Sequence, residues 1–259
     1  MSDTSGAVRI DRLWLVKQIV RFLLLVGAGA TLAGGCGGGE PSALAGADER
    51  DVPLPTIGID TELGVFTGVA DVGEIDVGEI ESVVMIGDSI TVGSQSIIEE
   101  QFSTLGFEAS SVVAQNGKRT AASFGDNSSG ADIAAFIADG DNRGDEQLWV
   151  FALGTNDISQ YSSSDDVATQ IRSVLDQIPA DAPVVWINTY FADRPDDTAI
   201  VNAAIDQTLA DRGNAIVGQW DEIAGTDGVL RSDGVHPNAD GAKIFAAFVT
   251  STVAEFLSS

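Results

Sequence analysis

The chain of 259 residues has one cysteine, one histidine and only 13 lysines and arginines, against 39 aspartates and glutamates. The lone cysteine, Cys36, permits no internal disulfide. A formal net charge of −26 sets the chain against nucleic acid phosphates and anionic headgroups, so neither is an expected partner. The acidity most simply keeps the protein soluble. A single histidine far from the single cysteine leaves no cluster with metal-ligand spacing, so no metal and no cofactor is expected.

What is present begins with a contrast in composition. Arg9, Arg12, Lys17 and Arg21 precede an uncharged stretch from Phe22 to Gly39, the basic-then-apolar-then-small order of an export signal. Seven glycines in that stretch disfavour a stable membrane-spanning helix. The run Leu32-Ala33-Gly34-Gly35-Cys36 resembles a bacterial lipoprotein processing site, which implies that Cys36 becomes the lipidated first residue; an ordinary signal peptide or an uncleaved anchor remain the alternatives. Residues 1–36 are therefore read as a signal segment. Residues 37–81, rich in glycine, proline and acids, are read as a tether. Their tandem copy, Asp71-Val72-Gly73-Glu74-Ile75 and then Asp76-Val77-Gly78-Glu79-Ile80, is too short for a solenoid. Residues 82–259 suffice for one domain with a sizeable core.

Within that domain apolar runs recur at about 82–86, 110–114, 148–153, 183–188 and 215–218, with room for helices between them. This is the pattern of an α/β fold with a five-stranded parallel sheet covered on both faces. Val167, Ile171, Val174, Leu175 and Ile178 mark one helical stripe, and Ile244, Phe245, Phe248, Val249, Val253 and Phe256 mark a closing amphipathic helix over 242–256. Trp149 and Trp186 fall inside strands and read as core, whereas Trp220 has no such assignment.

Three clusters stand at the ends of those runs. The first strand opens into Gly87-Asp88-Ser89, which places Ser89 at a helix start with its own N–H available to an oxyanion. The third ends in Gly154-Thr155-Asn156-Asp157, where the Asn156 amide is a neutral donor suited to charge developing on a carbonyl oxygen. Asp233-Gly234-Val235-His236-Pro237 sets a carboxylate and the only imidazole three residues apart on one loop. A serine nucleophile needs an imidazole to take its proton and a carboxylate to orient that imidazole. Each cluster taken singly also reads as a helix cap or a turn. Their joint order after predicted strands favours the catalytic reading.

Together these residues resemble the SGNH subgroup of the GDSL hydrolases over roughly 82 to 256. The resemblance implies a flavodoxin-like three-layer α/β sandwich and makes Ser89 the nucleophile, His236 the base and Asp233 its orienting carboxylate. It implies an oxyanion hole built from Ser89, Asn156 and a glycine, for which Gly117 is the candidate because it directly follows the second apolar run. Ile90 stands where the family name has leucine, an apolar exchange without mechanistic consequence. The expected activity is hydrolysis of small carboxylic esters, including O-acetyl groups on saccharides, through an acyl-enzyme. The alternatives are O-acyl transfer to an envelope glycan and, with less support, a surface binding module. Contact with a membrane is expected only through the N-terminal lipid or anchor.

Overall fold

The computed structural model describes residues 80–140 and 147–258, together with the backbone of a short antiparallel ladder in which Ile59–Asp60 pairs with Val65–Phe66. The expected signal segment, Cys36 and nearly all of the expected tether lie outside the described residues.

Five strands form one sheet: β1 (Ser82–Gly87), β2 (Ala109–Ala114), β3 (Gln147–Ala152), β4 (Val184–Ile187) and β5 (Ala215–Gly218). Every neighbouring pair is parallel, in the spatial order β2-β1-β3-β4-β5. All residues of β1, β3 and β4 are buried, which is why these strands read as unbroken apolar runs rather than alternating ones. At the β2 edge Ser110 and Ser111 face solvent, polar residues that suit an unpaired flank.

The helices are α1 (Ser89–Val92), α2 (Gln95–Thr104), α3 (Gly130–Gly140), α4 (Ser164–Leu175), α5 (Pro195–Ala210), α6 (Asp221–Ala224) and α7 (Ala239–Leu257). On one face, Val83, Met85, Val150 and Val185 pack with Ile98 and Phe102 of α2 and with Phe245, Val249 and Val253 of α7. The alternate strand positions build the other face, where Phe151 lies 6.2 Å from Trp149 and 5.0 Å from Trp186 between ring centroids. Trp220, unassigned from sequence, is core as well: it is buried edge-on against Phe245 at 5.0 Å.

The helix ends follow local chemistry. Ser163 caps α4 by accepting the Asp166 N–H, with Asp165 and Asp166 in the first turn and Arg172 in the last, matching the helix dipole at both ends. The helix stops at Leu175, so Ile178 is buried from the turn that follows rather than from the helix. The last helix begins at Ala239, three residues before the expected start at 242, because Asn238 accepts the N–H groups of Asp240 and Gly241. No described helix is long and apolar enough to cross a membrane.

Chain order reverses between β1 and β3, so the crevice at their carboxyl ends is the topological switch point where open α/β sheets bind ligands. The segments after β1, β2 and β3 carry Ser89, Gly117 and Asn156.

Candidate active site

Ser89 is the first residue of α1, and Asp88 caps that helix by accepting the Ile90 N–H on Oδ1 at 3.0 Å. The cap and the nucleophile candidate are thus adjacent, and the two readings of Gly-Asp-Ser coexist. Since α1 is a single turn ended at Gly93, the useful donor here is the Ser89 N–H itself, with little macrodipole behind it.

Far along the chain, the loop before α7 delivers the candidate base. Ser89 Oγ lies 2.9 Å from His236 Nε2, and His236 Nδ1 lies 3.0 Å from Asp233 Oδ2. The carboxylate fixes the tautomer: with Nδ1–H donating to Asp233, Nε2 is left to accept the serine proton. Asp233 is itself held, because its Oδ1 accepts the backbone N–H groups of His236 at 2.9 Å and Val235 at 3.0 Å. Those bonds hold its carboxyl at about 2, although the side chain is 48% exposed. Spacing makes this possible, since Gly234 takes a φ of +67° and turns the chain back within three residues. A Cβ there would sit 2.8 Å from that of Ala192, whose N–H donates to the Gly234 carbonyl at 2.9 Å. The loop is closed below by Arg231, whose N–H donates to the His236 carbonyl at 2.8 Å.

Gly117 and Asn156 join the same place through their neighbours. The Asn156 amide donates to the Lys118 carbonyl at 3.0 Å and to Asp88 Oδ2 at 3.3 Å. One contact reaches the residue after Gly117 and the other the residue before Ser89. Gly117 adopts a φ of +73°, a left-handed conformation in which an L side chain is strained. Neither the Ser89 N–H nor the Gly117 N–H has an acceptor among the described residues. Two free backbone donors and one amide with a long, replaceable contact are therefore gathered beside the serine, a set able to receive a developing negative oxygen.

The Asn156 amide is engaged in the resting structure. It is not a free donor at rest, because both of its hydrogens already have acceptors.

Several supporting residues were not singled out by sequence reasoning. Asp88 is fully buried, which raises its carboxyl to about 6 against the lowering effects of the Ile90 N–H and the Thr155 hydroxyl. Asp157 is also buried and accepts the Thr120 N–H at 2.9 Å, the Thr120 hydroxyl at 2.7 Å and Arg119 Nε at 3.3 Å. It clamps the loop after β2 to the turn after β3. The ordinary look of Gly-Thr-Asn-Asp as a turn hid this role, and its only trace in sequence is a carboxylate directly after the candidate donor. Among the described residues no group of three His, Cys, Asp or Glu side chains converges as a metal site requires.

Solved structures with this fold include an acetyl esterase Ser-to-Ala mutant with acetate ion, at 20% identity and a TM-score of 0.53, covering 68% of this chain and 98% of the other. A carbohydrate acetylesterase from Sinorhizobium meliloti is similar at 14% identity and 0.52, covering 68% and 99%. The C-terminal catalytic domain of peptidoglycan O-acetyltransferase A from Streptococcus pneumoniae, with a methylsulfonyl adduct, is similar at 18% and 0.50, covering 70% and 94%. No match was found among curated proteins. Residues 85–244, well over half of the 259, match the GDSL-like lipase/acylhydrolase family model. The chain belongs to that family, as a serine hydrolase of the SGNH type acting on ester bonds.

Proposed function

We propose that the protein is an exported esterase that removes short acyl groups, O-acetyl groups on saccharides among them, by two-step acyl transfer. The observation that carries the reading is the continuous chain Ser89 Oγ to His236 Nε2 at 2.9 Å and His236 Nδ1 to Asp233 Oδ2 at 3.0 Å. His236 takes the hydroxyl proton as Ser89 attacks the ester carbonyl, and the imidazolium that forms is stabilised by Asp233. The tetrahedral oxyanion takes the N–H groups of Ser89 and Gly117 and the Asn156 amide, whose long contact to Asp88 is the one given up. Collapse breaks the C–O bond, and His236 returns the proton to the departing alcohol. Water, deprotonated by the same imidazole, then attacks the acyl-enzyme and releases the carboxylic acid.

Two observations support a short acyl group. Phe124 is the only large apolar side chain prominently exposed among the described residues, which is little surface for a long hydrocarbon chain. The solved relatives called acetyl esterase and carbohydrate acetylesterase share the fold. The relative called peptidoglycan O-acetyltransferase keeps a second reading in view, in which a glycan hydroxyl replaces water in the last step.

The test is a series of p-nitrophenyl esters of rising chain length alongside acetylated glycans, with and without a saccharide acceptor. Turnover is expected to be fastest on acetate and to release free acetic acid. Product partitioning to the acceptor would establish the transferase, and a preference for long chains would overturn the short-acyl reading.

The N-terminal segment carries the localisation proposal. The basic residues before Phe22 and the run ending at Cys36 support export and lipid anchoring at Cys36, with residues 37–81 as a spacer between membrane and domain.

A further inference from the structure

Lys118 is 1% exposed, a burial that lysine seldom accepts without a carboxylate partner. Among the described residues its ammonium has only neutral acceptors: the Ser128 carbonyl at 3.0 Å and Gln115 Oε1 at 3.4 Å. No described carboxylate forms an ion pair with it. Desolvation lowers its pKa to about 8, against the pull of Asp132 from the start of α3 and Asp88 from the end of β1. If the site needed only volume, an apolar side chain would fill it without desolvating a charge. The charge therefore calls for another explanation.

Its position supplies one. Lys118 directly follows Gly117, and its carbonyl receives the Asn156 amide at 3.0 Å. Through Ser128 the ammonium ties the loop after β2 to the segment leading into α3, and Asn127, one residue earlier, donates its amide to the Asn116 carbonyl at 2.9 Å. Gln115 completes the lattice by donating to Asn127 Oδ1 at 2.7 Å. The backbone that presents the Gly117 N–H is thus fastened on both sides, and the residue that follows it carries a buried positive charge. A cation shielded from water acts on a developing oxyanion far more strongly than a hydrated one.

We propose that Lys118 is a positioning residue of the oxyanion hole: its ammonium locks the Gly117 loop and its carbonyl fixes Asn156, while its buried positive charge favours the tetrahedral oxyanion over the neutral ester. The inference rests on the acyl-transfer reading of Ser89. Because the charge favours the oxyanion over the ground state, its loss acts on kcat rather than KM. Because that charge is lost at alkaline pH, the enzyme acquires a descending alkaline limb near pH 8. The groups facing the ammonium are Asp132, Asp88 and the neutral Gln115 and Ser128. Tyr161, raised from its ordinary value by burial and then by Asp157, ionises above this window.

The test compares the wild type, Lys118→Met, Lys118→Arg and Ser89→Ala on a short ester from pH 5 to 10, with circular dichroism melts confirming folding at each pH. Lys118→Met is expected to lose ~10- to 100-fold in kcat with KM within about twofold, less than the ~10²–10³ of a lost direct donor, and to lose the alkaline limb. Lys118→Arg, charged throughout, is expected to carry its plateau beyond pH 9. A Lys118→Met enzyme with wild-type kcat, or one retaining the same alkaline limb, overturns the proposal. If neither variant folds, a wild-type profile flat to pH 9.5 overturns it and a limb near 8 upholds it. Turnover by Ser89→Ala would instead sink the nucleophile assignment, so the two failures are distinct.

Discussion

Asp88 and Asn156 join the two halves of the candidate site through one carboxylate: Oδ1 receives the Ile90 N–H at 3.0 Å and Oδ2 lies 3.3 Å from the Asn156 amide nitrogen. The residue before Ser89 therefore ties the Ser89 turn to the amide after β3. It does so from full burial, where a carboxylate is expensive.

That expense is measurable as a pH dependence of stability. Burial raises Asp88 from 3.8 to about 6, so between these values the unfolded chain has released its proton while the folded one retains it. The contribution of this group to stability is greatest below the unfolded value and declines as pH rises to about 6, by on the order of 3 kcal/mol. Asp88→Asn cannot ionise and lacks the decline. Its free energy of unfolding, measured with urea from pH 4 to 7, is expected to gain on the wild type as pH rises. Parallel curves for the two proteins would show that Asp88 is not protonated in the native state.

Asn156→Ala is expected to lower kcat by ~10²–10³, the usual consequence of removing one oxyanion donor, with a smaller change in KM. Asn156→Asp should fall further, since it sets a second carboxylate beside Asp88. Steady-state kinetics on a p-nitrophenyl ester separate the cases: an effect confined to KM would place the amide in substrate binding.

How much of this was legible in the sequence depended on whether the signal was local. The five strands appear as apolar runs because β1, β3 and β4 are buried on both faces, leaving no alternation to confuse with a helix. Ser89, His236 and Asp233 could be named because one histidine leaves one candidate base, and Asp233 is its neighbour in sequence as in space. Lys118 and Asp157 escaped for the opposite reason. A lysine after a glycine reads as a solvent-facing loop residue, and its burial depends on Ser128, ten residues on. Asp157 acts on Thr120 across 37 residues, a pairing without any periodic trace. Trp220 is similar: one aromatic beyond a strand end says nothing of its packing against Phe245.

The N-terminal proposal has its own measurement. In a bacterial host with lipoprotein processing, the full chain is expected in the membrane fraction, and Cys36→Ser should abolish incorporation of labelled fatty acid. Residues 82–259 expressed alone should be soluble and retain the full chain's kcat, because every candidate catalytic and oxyanion-hole residue lies within them. A Cys36→Ser protein that still takes up lipid would refute the anchor.

The acidic side of the pH–rate profile assigns the base. A general base must be neutral to accept the Ser89 proton, so kcat/KM is expected to rise with pH as the base loses its own proton. Asp233 does not supply that step: backbone N–H groups of His236 and Val235 hold its carboxyl near 2, so it is ionised throughout. Asp88, raised by burial to about 6, competes for the assignment. Asp88→Asn removes that ionisation while leaving the bond from Ser89 to His236, so the limb should persist in this variant at reduced activity. His236→Ala should lose nearly all turnover, and Asp233→Asn should keep a small fraction, its imidazole present but without the anchored carboxylate that selects the tautomer. If the limb vanishes in Asp88→Asn, it belongs to Asp88, and the ionised carboxylate that holds the Asn156 amide, rather than a neutral imidazole, is what the acid side reports.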